Sequence, residues 1–418
     1  MRLKTINISS FLWSFVFFQF SVTLVFLATR AEKFFTFDMY LKGVKYSTLL
    51  LLGISGFILI KKRKGILLFE PIKYVFVLQI IILYFAMIIH TDIKAINSPT
   101  ILLMLISTLV IFINKISLRN INLVAITLSI LNFAIVMLQI LSIIPVAQDN
   151  VRDGINLISD RPTGLLFNAF AMGYASVITF AICLYFAKTK KLVILNLIGV
   201  LLSVASVLLS VTRTPLLLMI FSGMIILLQK TKFVTNNSKL LTIAIPSGVA
   251  LFPLATVVLG NLMGNQDMAT LNGRTFLWDC VTSRWQQFIP FGVGVQGAFP
   301  QGFCSDDQWF SKLRHPENMF LLNFVESGLL GLIGLVLLFI VAFWFSGKAL
   351  AKGSALPMAV SATFLMSSIF YVPLFHYLPF LENRTADRGV FNFYLFTILW
   401  MAILNAFRLE KEPQLTKK

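Results

Sequence analysis

Apolar runs of about twenty residues recur from one end of this chain to the other, and any fold proposed for it has to house them. A helix needs about twenty consecutive apolar residues to cross the hydrocarbon core of a bilayer, whereas a soluble core is filled by shorter amphipathic segments. The runs fall at 11–29, 44–60, 73–90, 100–114, 121–144, 164–187, 192–211, 214–229, 240–262, 318–345, 354–375 and 389–408. Composition agrees: 58% of the 418 residues are hydrophobic and only 12% charged, where soluble domains carry about a quarter charged residues. A transmembrane barrel would show short alternating strands instead. The sequence predicts an all-α polytopic integral membrane protein of about twelve transmembrane helices, with residues 1–418 forming a single transmembrane domain. Thr29-Arg30-Ala31 is a poor signal-peptidase site, so the first run is read as a retained span.

The formal charge of +18 raises the possibility of a nucleic-acid partner. Membrane orientation accounts for it better, because cytoplasmic loops collect Lys and Arg. Lys61-Lys62-Arg63-Lys64 marks the loop after the second span as cytoplasmic. Alternation from there puts Lys188, Lys190, Lys191, Lys230, Lys232, Lys239, Lys348, Lys352, Lys411, Lys417 and Lys418 on the same side, with both termini. The opposite side carries arginines: Arg30, Arg152, Arg161, Arg213, Arg274, Arg284, Arg314, Arg384 and Arg388. A planar guanidinium is suited to phosphate, and an outer face rich in them favours an anionic ligand over pairing among loops. Arg213 is the most exposing of these choices. It sits in Leu209-Ser210-Val211-Thr212-Arg213-Thr214-Pro215, a connection with almost no length between two apolar runs, and a charge so near the hydrocarbon usually has a partner or a task.

Loop length is informative where most loops are short. Two outer segments are long: 145–163, with Asp149, Arg152, Asp153, Asp160 and Arg161-Pro162, and 263–317. In the second, Leu277, Trp278, Val281, Trp285 and Phe288 recur at helical spacing among polar residues, which predicts an amphipathic interfacial helix between Asn272-Gly273 and Pro290. Trp278, Trp285 and Trp309 are either interfacial anchors or a stacking platform for a sugar ring. Gly292, Gly294 and Gly297 predict a tight turn and not a nucleotide fingerprint, since no strand–turn–helix context surrounds them. Arg314-His315-Pro316-Glu317-Asn318 brings two titratable groups beside an arginine at the membrane surface, an acid/base constellation. Cys280 and Cys304 share this loop and can pair in an oxidising compartment, while Cys183 lies in an apolar run; none has metal-site spacing.

These residues together resemble the O-antigen polymerase and O-antigen ligase superfamily of bacterial surface-polysaccharide assembly. The resemblance is carried by Arg161-Pro162-Thr163-Gly164-Leu165-Leu166-Phe167-Asn168, by Ser210 to Pro215, by Gly273-Arg274 to Trp278, by the Pro-Phe-Gly-Val-Gly run from Pro290, by His315-Pro316-Glu317-Asn318-Met319-Phe320-Leu321 and by Glu326-Ser327-Gly328-Leu329-Leu330-Gly331. It implies metal-independent glycosyl transfer without a cofactor, from an undecaprenyl-pyrophosphate-linked oligosaccharide at the outer face of the bacterial cytoplasmic membrane. It also implies a flippase and a chain-length regulator as pathway partners, and no nucleic acid. By position, Arg213 and Arg274 correspond to the family's pyrophosphate-binding arginines; Arg161 and Arg314 join them as candidates, with Glu317 and then His315 as catalytic base. Asn318, Leu321 and Gly328 keep the ligase signature's spacing, but Glu317 stands where the ligase histidine would be. That departure favours a polymerase, and the ligase is the nearest alternative. A lipid-linked saccharide flippase or transporter is the second, for which broken helices, polar midplane residues and inverted repeats would be expected.

Overall fold

From 121 onward the expected runs emerge as helices in the computed structural model, which describes residues 118–144, 162–166, 169–189, 192–269, 271, 274–294, 318–370, 396–397 and 399–407, with 78, 81 and 82. The runs at 11–29, 44–60 and 100–114 lie outside the described residues, as does all but three helical residues of 73–90. No strand occurs among the described residues. In chain order the helices are α1 (Leu118–Ile140), α2 (Ala169–Lys188), α3 (Val193–Leu209), α4 (Arg213–Leu228), the short α5 (Lys232–Asn236), α6 (Ser238–Leu262), the short α7 (Gln266–Ala269), α8 (Arg274–Ser283), α9 (Met319–Ala351) and α10 (Leu356–Phe370). Residues 399–407 are also helical. Four of these, α1, α2, α6 and α9, are long and apolar enough to cross a membrane, and α3, α4 and α10 are shorter apolar helices.

Helix directions alternate, and the contacts at the ends show it. Lys188, the last residue of α2, donates to the carbonyls of Ile226, at 3.1 Å, and Leu227 in the final turns of α4. Just past α4, Gln229 accepts from the Ala355 N–H at the start of α10 (3.0 Å). Lys348 near the end of α9 lies 3.5 Å over the Trp344 ring. Lys188, Lys230, Lys232, Lys239, Lys348 and Lys352 therefore share one end of the bundle, as loop charge predicted. Arg213 and Arg274 belong to the opposite end, where α3, α6 and α10 finish and α4 and α9 begin.

Burial grades across the bundle. α2 is enclosed, with 89% of its apolar window buried, and α6 is peripheral at 22%. Outward-facing side chains on the peripheral helices are large and apolar, among them Ile194, Leu201, Ile220, Ile243, Leu254 and Leu262. Leaving such side chains in water would forfeit about 1.5–3 kcal/mol each, so this belt is the face that lipid solvates. The chain is a multi-pass membrane protein.

Helix ends depart from the expected runs for local reasons. The run expected at 164–187 begins as a 3-10 turn at Gly164–Leu166, with α2 starting at Ala169. Gly164 has φ 56° and its N–H is taken by a side chain of α1, so it cannot continue a helix. The run expected to end at 345 continues to Ala351, and Gly353 (φ 77°) stops it with a bond from its N–H to the Leu350 carbonyl.

Candidate functional site

At the arginine-bearing end, side chains of α1 fix the residues that lead into α2. Gln139 accepts from the N–H groups of Thr163 (3.0 Å) and Gly164 (2.9 Å) and donates to Thr163 Oγ1 (3.1 Å). About two turns further in, Asn132 accepts from the Leu165 N–H (3.0 Å) and donates to Ser176 on α2 (3.3 Å). A Cβ on Gly164 would come within 2.3 Å of Asn132 Oδ1, so this close seat requires glycine. The Pro-Thr-Gly-Leu segment is thus lashed to α1; Arg161, immediately before it, lies outside the described residues.

The connection between α3 and α4 is equally tight. Ser210 ends α3, Val211 takes φ 52°, Thr212 is extended, and α4 begins at Arg213. A β-branched residue at positive φ is strained by about 1–3 kcal/mol. The Ser210 hydroxyl donates to the Val207 carbonyl (2.6 Å) and meets the Thr212 hydroxyl at 2.5 Å. Arg213 is exposed. Beneath it, α2 comes so close at Gly173 that a Cβ there would lie 2.6 Å from Thr212 Oγ1 and 2.8 Å from Pro215. The next residue, Tyr174, is buried, and its hydroxyl lies beside Thr214 at a geometry short of a hydrogen bond, within the field of Arg274. Tyr174 thus lies against the segment that carries Arg213.

Arg274, the first residue of α8, is 9% exposed. It donates from Nη1 to the Leu271 carbonyl (3.2 Å) and stacks 5.6 Å above the Phe170 ring of α2. The expected amphipathic helix is interrupted: α8 ends at Ser283, Arg284 leaves helical geometry, and Trp285–Phe288 form a 3-10 turn. Val281 and Phe288 are fully buried with Val325 of α9, and Phe288 meets Phe324 edge-on at 5.7 Å. Trp278 is half-buried against Phe370 of α10 (6.5 Å between rings), while Trp285 is exposed. Trp309 lies outside the described residues.

The glycine-rich run that follows docks on a break in α9. Gly328 has φ 66° and ψ −156° inside the helix, and its place in the ladder is filled from outside. The Leu329 N–H donates to the Pro290 carbonyl (3.1 Å), Val293 N–H to the Val325 carbonyl (2.9 Å) and Gly294 N–H to the Glu326 carbonyl (3.2 Å). A Cβ on Gly328 would sit 2.0 Å from the Pro290 oxygen, and one on Gly292 2.5 Å from the Glu326 backbone. Asn318 caps α9, its side chain accepting from the N–H groups of Phe320 (2.9 Å) and Leu321 (3.1 Å). The spacing of Asn318, Leu321 and Gly328 thus encodes a cap and a break ten residues apart.

Arg213, Arg274, the docked glycine loop and the break in α9 at Gly328 all fall within one stretch of sequence that has known relatives. Residues 198–336 match the family model of the O-antigen ligases. The domain so matched runs from inside α3 to inside α9, in agreement with the resemblance read from the sequence, and covers less than half of the chain. No curated protein matches the chain. From outside the matched residues, α2 packs against the domain at Gly173, which meets Thr212 and Pro215, while Gln139 and Asn132 of α1 hold the segment that leads into α2. Glu317, His315 and Arg314 fall inside the domain but outside the described residues. Cys280 is disulfide-bonded and Cys183 is free and buried. No group of three or more His, Cys, Asp and Glu able to hold a metal ion occurs among the described residues.

Two residues of the site were not assigned a role from sequence. Tyr174 is one aromatic in an apolar run, and nothing in the sequence alone distinguishes it from packing. Glu326 is different: it is 4% exposed within an apolar helix, and an ionisable residue inside a spanning run is a functional candidate on that ground.

Proposed function

We propose that this protein polymerises lipid-linked oligosaccharide repeat units of a bacterial surface polysaccharide (O-antigen, capsule or exopolysaccharide) at the outer face of the cytoplasmic membrane, with its lysine-bearing end and both termini in the cytoplasm. The observation that supports this reading is the placement of Arg213 and Arg274 at the same end of the bundle, within the stretch that matches the O-antigen ligase family model. The donor is an oligosaccharide on undecaprenyl pyrophosphate. A hydroxyl of the next lipid-linked unit attacks the anomeric carbon, the new glycosidic bond forms, and the bond from that carbon to the pyrophosphate oxygen breaks with its electron pair on the oxygen. Glu317, or His315 in its absence, takes the hydroxyl proton. Arg213 and Arg274, with Arg161 and Arg314, stabilise the charge that develops on the leaving pyrophosphate, an effect strengthened in a partly dry site. Trp278, Trp285 and Trp309 are the residues proposed to contact the sugar. No cofactor or metal enters these steps. The pathway partners are a flippase and a chain-length regulator.

Glu317 at the position of the ligase histidine supports polymerase over ligase. One structural feature favours the transporter reading, since α9 is broken beside a buried acid and broken helices line transport paths. The break, however, is only about 14 Å from the start of α9, a helix of 33 residues and about 50 Å. The loop from Pro290 to Gly294 also closes over it. A break near one end and covered by a loop fits a site open to one face.

Complementation of the chromosomal deletion tests this, with wild type, Arg213→Ala, Arg274→Ala and Glu317→Ala compared after each is shown to insert and accumulate. A polysaccharide ladder with wild type and a single capped repeat unit with the arginine variants is the expected result. Full-length polymer retained on the lipid carrier would assign the ligase, and a normal ladder from every variant would refute the site.

A further inference from the structure

The first turn of α4 carries polar groups whose protein partners have been diverted or are missing. Thr212 occupies the N-cap position with extended geometry (φ −106°, ψ 120°), where a threonine hydroxyl ordinarily accepts from the backbone N–H two or three residues on. It makes no such bond, because its hydroxyl is engaged with Ser210. Among the described residues nothing accepts from the Arg213 and Thr214 N–H groups, and the helix dipole adds partial positive charge at the same point. Arg213 is exposed and Thr214 half-exposed, so the turn is reachable from outside the bundle. Below it, Tyr174 is 1% exposed, and its buried hydroxyl lies against Thr214 without a hydrogen bond. A buried hydroxyl left unsatisfied costs free energy, and such a group in a native fold calls for an explanation.

We propose that Thr214 and Tyr174 act as a two-hydroxyl relay for one phosphoryl group of the donor, Thr214 contacting the ligand and Tyr174 positioning it. The ligand's phosphoryl oxygen accepts from the Thr214 hydroxyl and from the open N–H groups of Arg213 and Thr214. Once Thr214 turns to donate outward, its oxygen accepts from Tyr174, and the buried hydroxyl is satisfied only in the bound state. A charge-neutral relay beside two guanidinium groups selects an anion, since a cation or a neutral sugar would leave those charges uncompensated. Gly173 is what lets α2 approach closely enough for Tyr174 to reach this turn. The inference rests on the pyrophosphate reading of the site given above.

Removing the Tyr174 hydroxyl, unsatisfied in the empty protein, leaves thermal stability unchanged or raises it, yet weakens ligand binding by about tenfold. The test is titration of undecaprenyl pyrophosphate into the full chain in nanodiscs, with thermal unfolding measured on the same samples. Wild type binds, Arg213→Ala and Arg274→Ala lose binding, and Thr214→Ser retains it. Thr214→Val and Tyr174→Phe each weaken it by about tenfold, and the double variant is no worse than either, because the two hydroxyls act in series. Wild-type affinity in Tyr174→Phe and Thr214→Val, alongside loss in the arginine variants, would overturn the relay and leave the pyrophosphate reading standing. No binding by wild type would overturn both.

Discussion

At the scale of single residues, glycine fixes the distances at this end of the bundle. Gly173 holds α2 against Thr212 and Pro215 with no room for a methyl group. Gly173→Ala is expected to push the first turn of α4 outward at a cost of about 1–3 kcal/mol, read as a lower unfolding temperature in detergent. Gly328 is more demanding, because its backbone is left-handed and a Cβ would overlap the Pro290 carbonyl. Gly328→Ala is expected to destabilise by more than about 3 kcal/mol, so that little folded protein accumulates on expression. Arg213 stood out in the sequence as a charge beside an apolar run and Arg274 as a polar position of the expected amphipathic helix, while the pyrophosphate role proposed for both came from the resemblance. Tyr174 did not stand out, since its role comes from an absent hydrogen bond, which only packing reveals. Asn318 was legible as part of a motif, but its work as a helix cap required the geometry of α9.

At the scale of elements, the segment from Arg274 to Gly294 is held to the bundle at several points, with Arg274 over Phe170 and Trp278 against Phe370. Val281 and Phe288 bury against α9, and the glycine loop adds backbone bonds at the α9 break. Phe288→Ala removes the larger anchor at a local cost of about 3–5 kcal/mol. Hydrogen exchange should then speed up across 274–294 while α1 to α4 keep their protection. Uniform exchange across the bundle would contradict the picture of a separately docked segment. Periodicity predicted a helix here, and Arg274–Ser283 forms one. The interruption at Arg284 was not legible, because it follows from fitting Phe288 into α9. Helix ends elsewhere shifted for similar reasons: the start of α2 is set by Gln139 and Asn132, residues far away in sequence.

At the scale of the whole molecule, two periodic signals were sufficient for the architecture of the described helices. Apolar run length gave the helices and their order, and lysine placement gave their alternation, which the pairing of Lys188 with α4 and of Gln229 with α10 reproduces. The number twelve depends on runs that lie outside the described residues. The sidedness proposed here predicts that Met263→Cys, at the exposed end of α6, reacts with a membrane-impermeant maleimide in intact cells. Lys230→Cys should react only after permeabilisation. The buried Cys183 and the disulfide-bonded Cys280 leave little background labelling from these two cysteines.

The central claim is that this membrane protein joins lipid-linked repeat units by displacing a pyrophosphate held by Arg213 and Arg274. Its most direct measurement is the product of purified protein reconstituted with undecaprenyl-pyrophosphate-linked repeat units as the only substrate, resolved by gel. A ladder of increasing repeat number from wild type, with none from Arg213→Ala or Arg274→Ala, is the result this account predicts. Unaltered single repeat units with wild type, in a preparation that binds the same lipid, would contradict it.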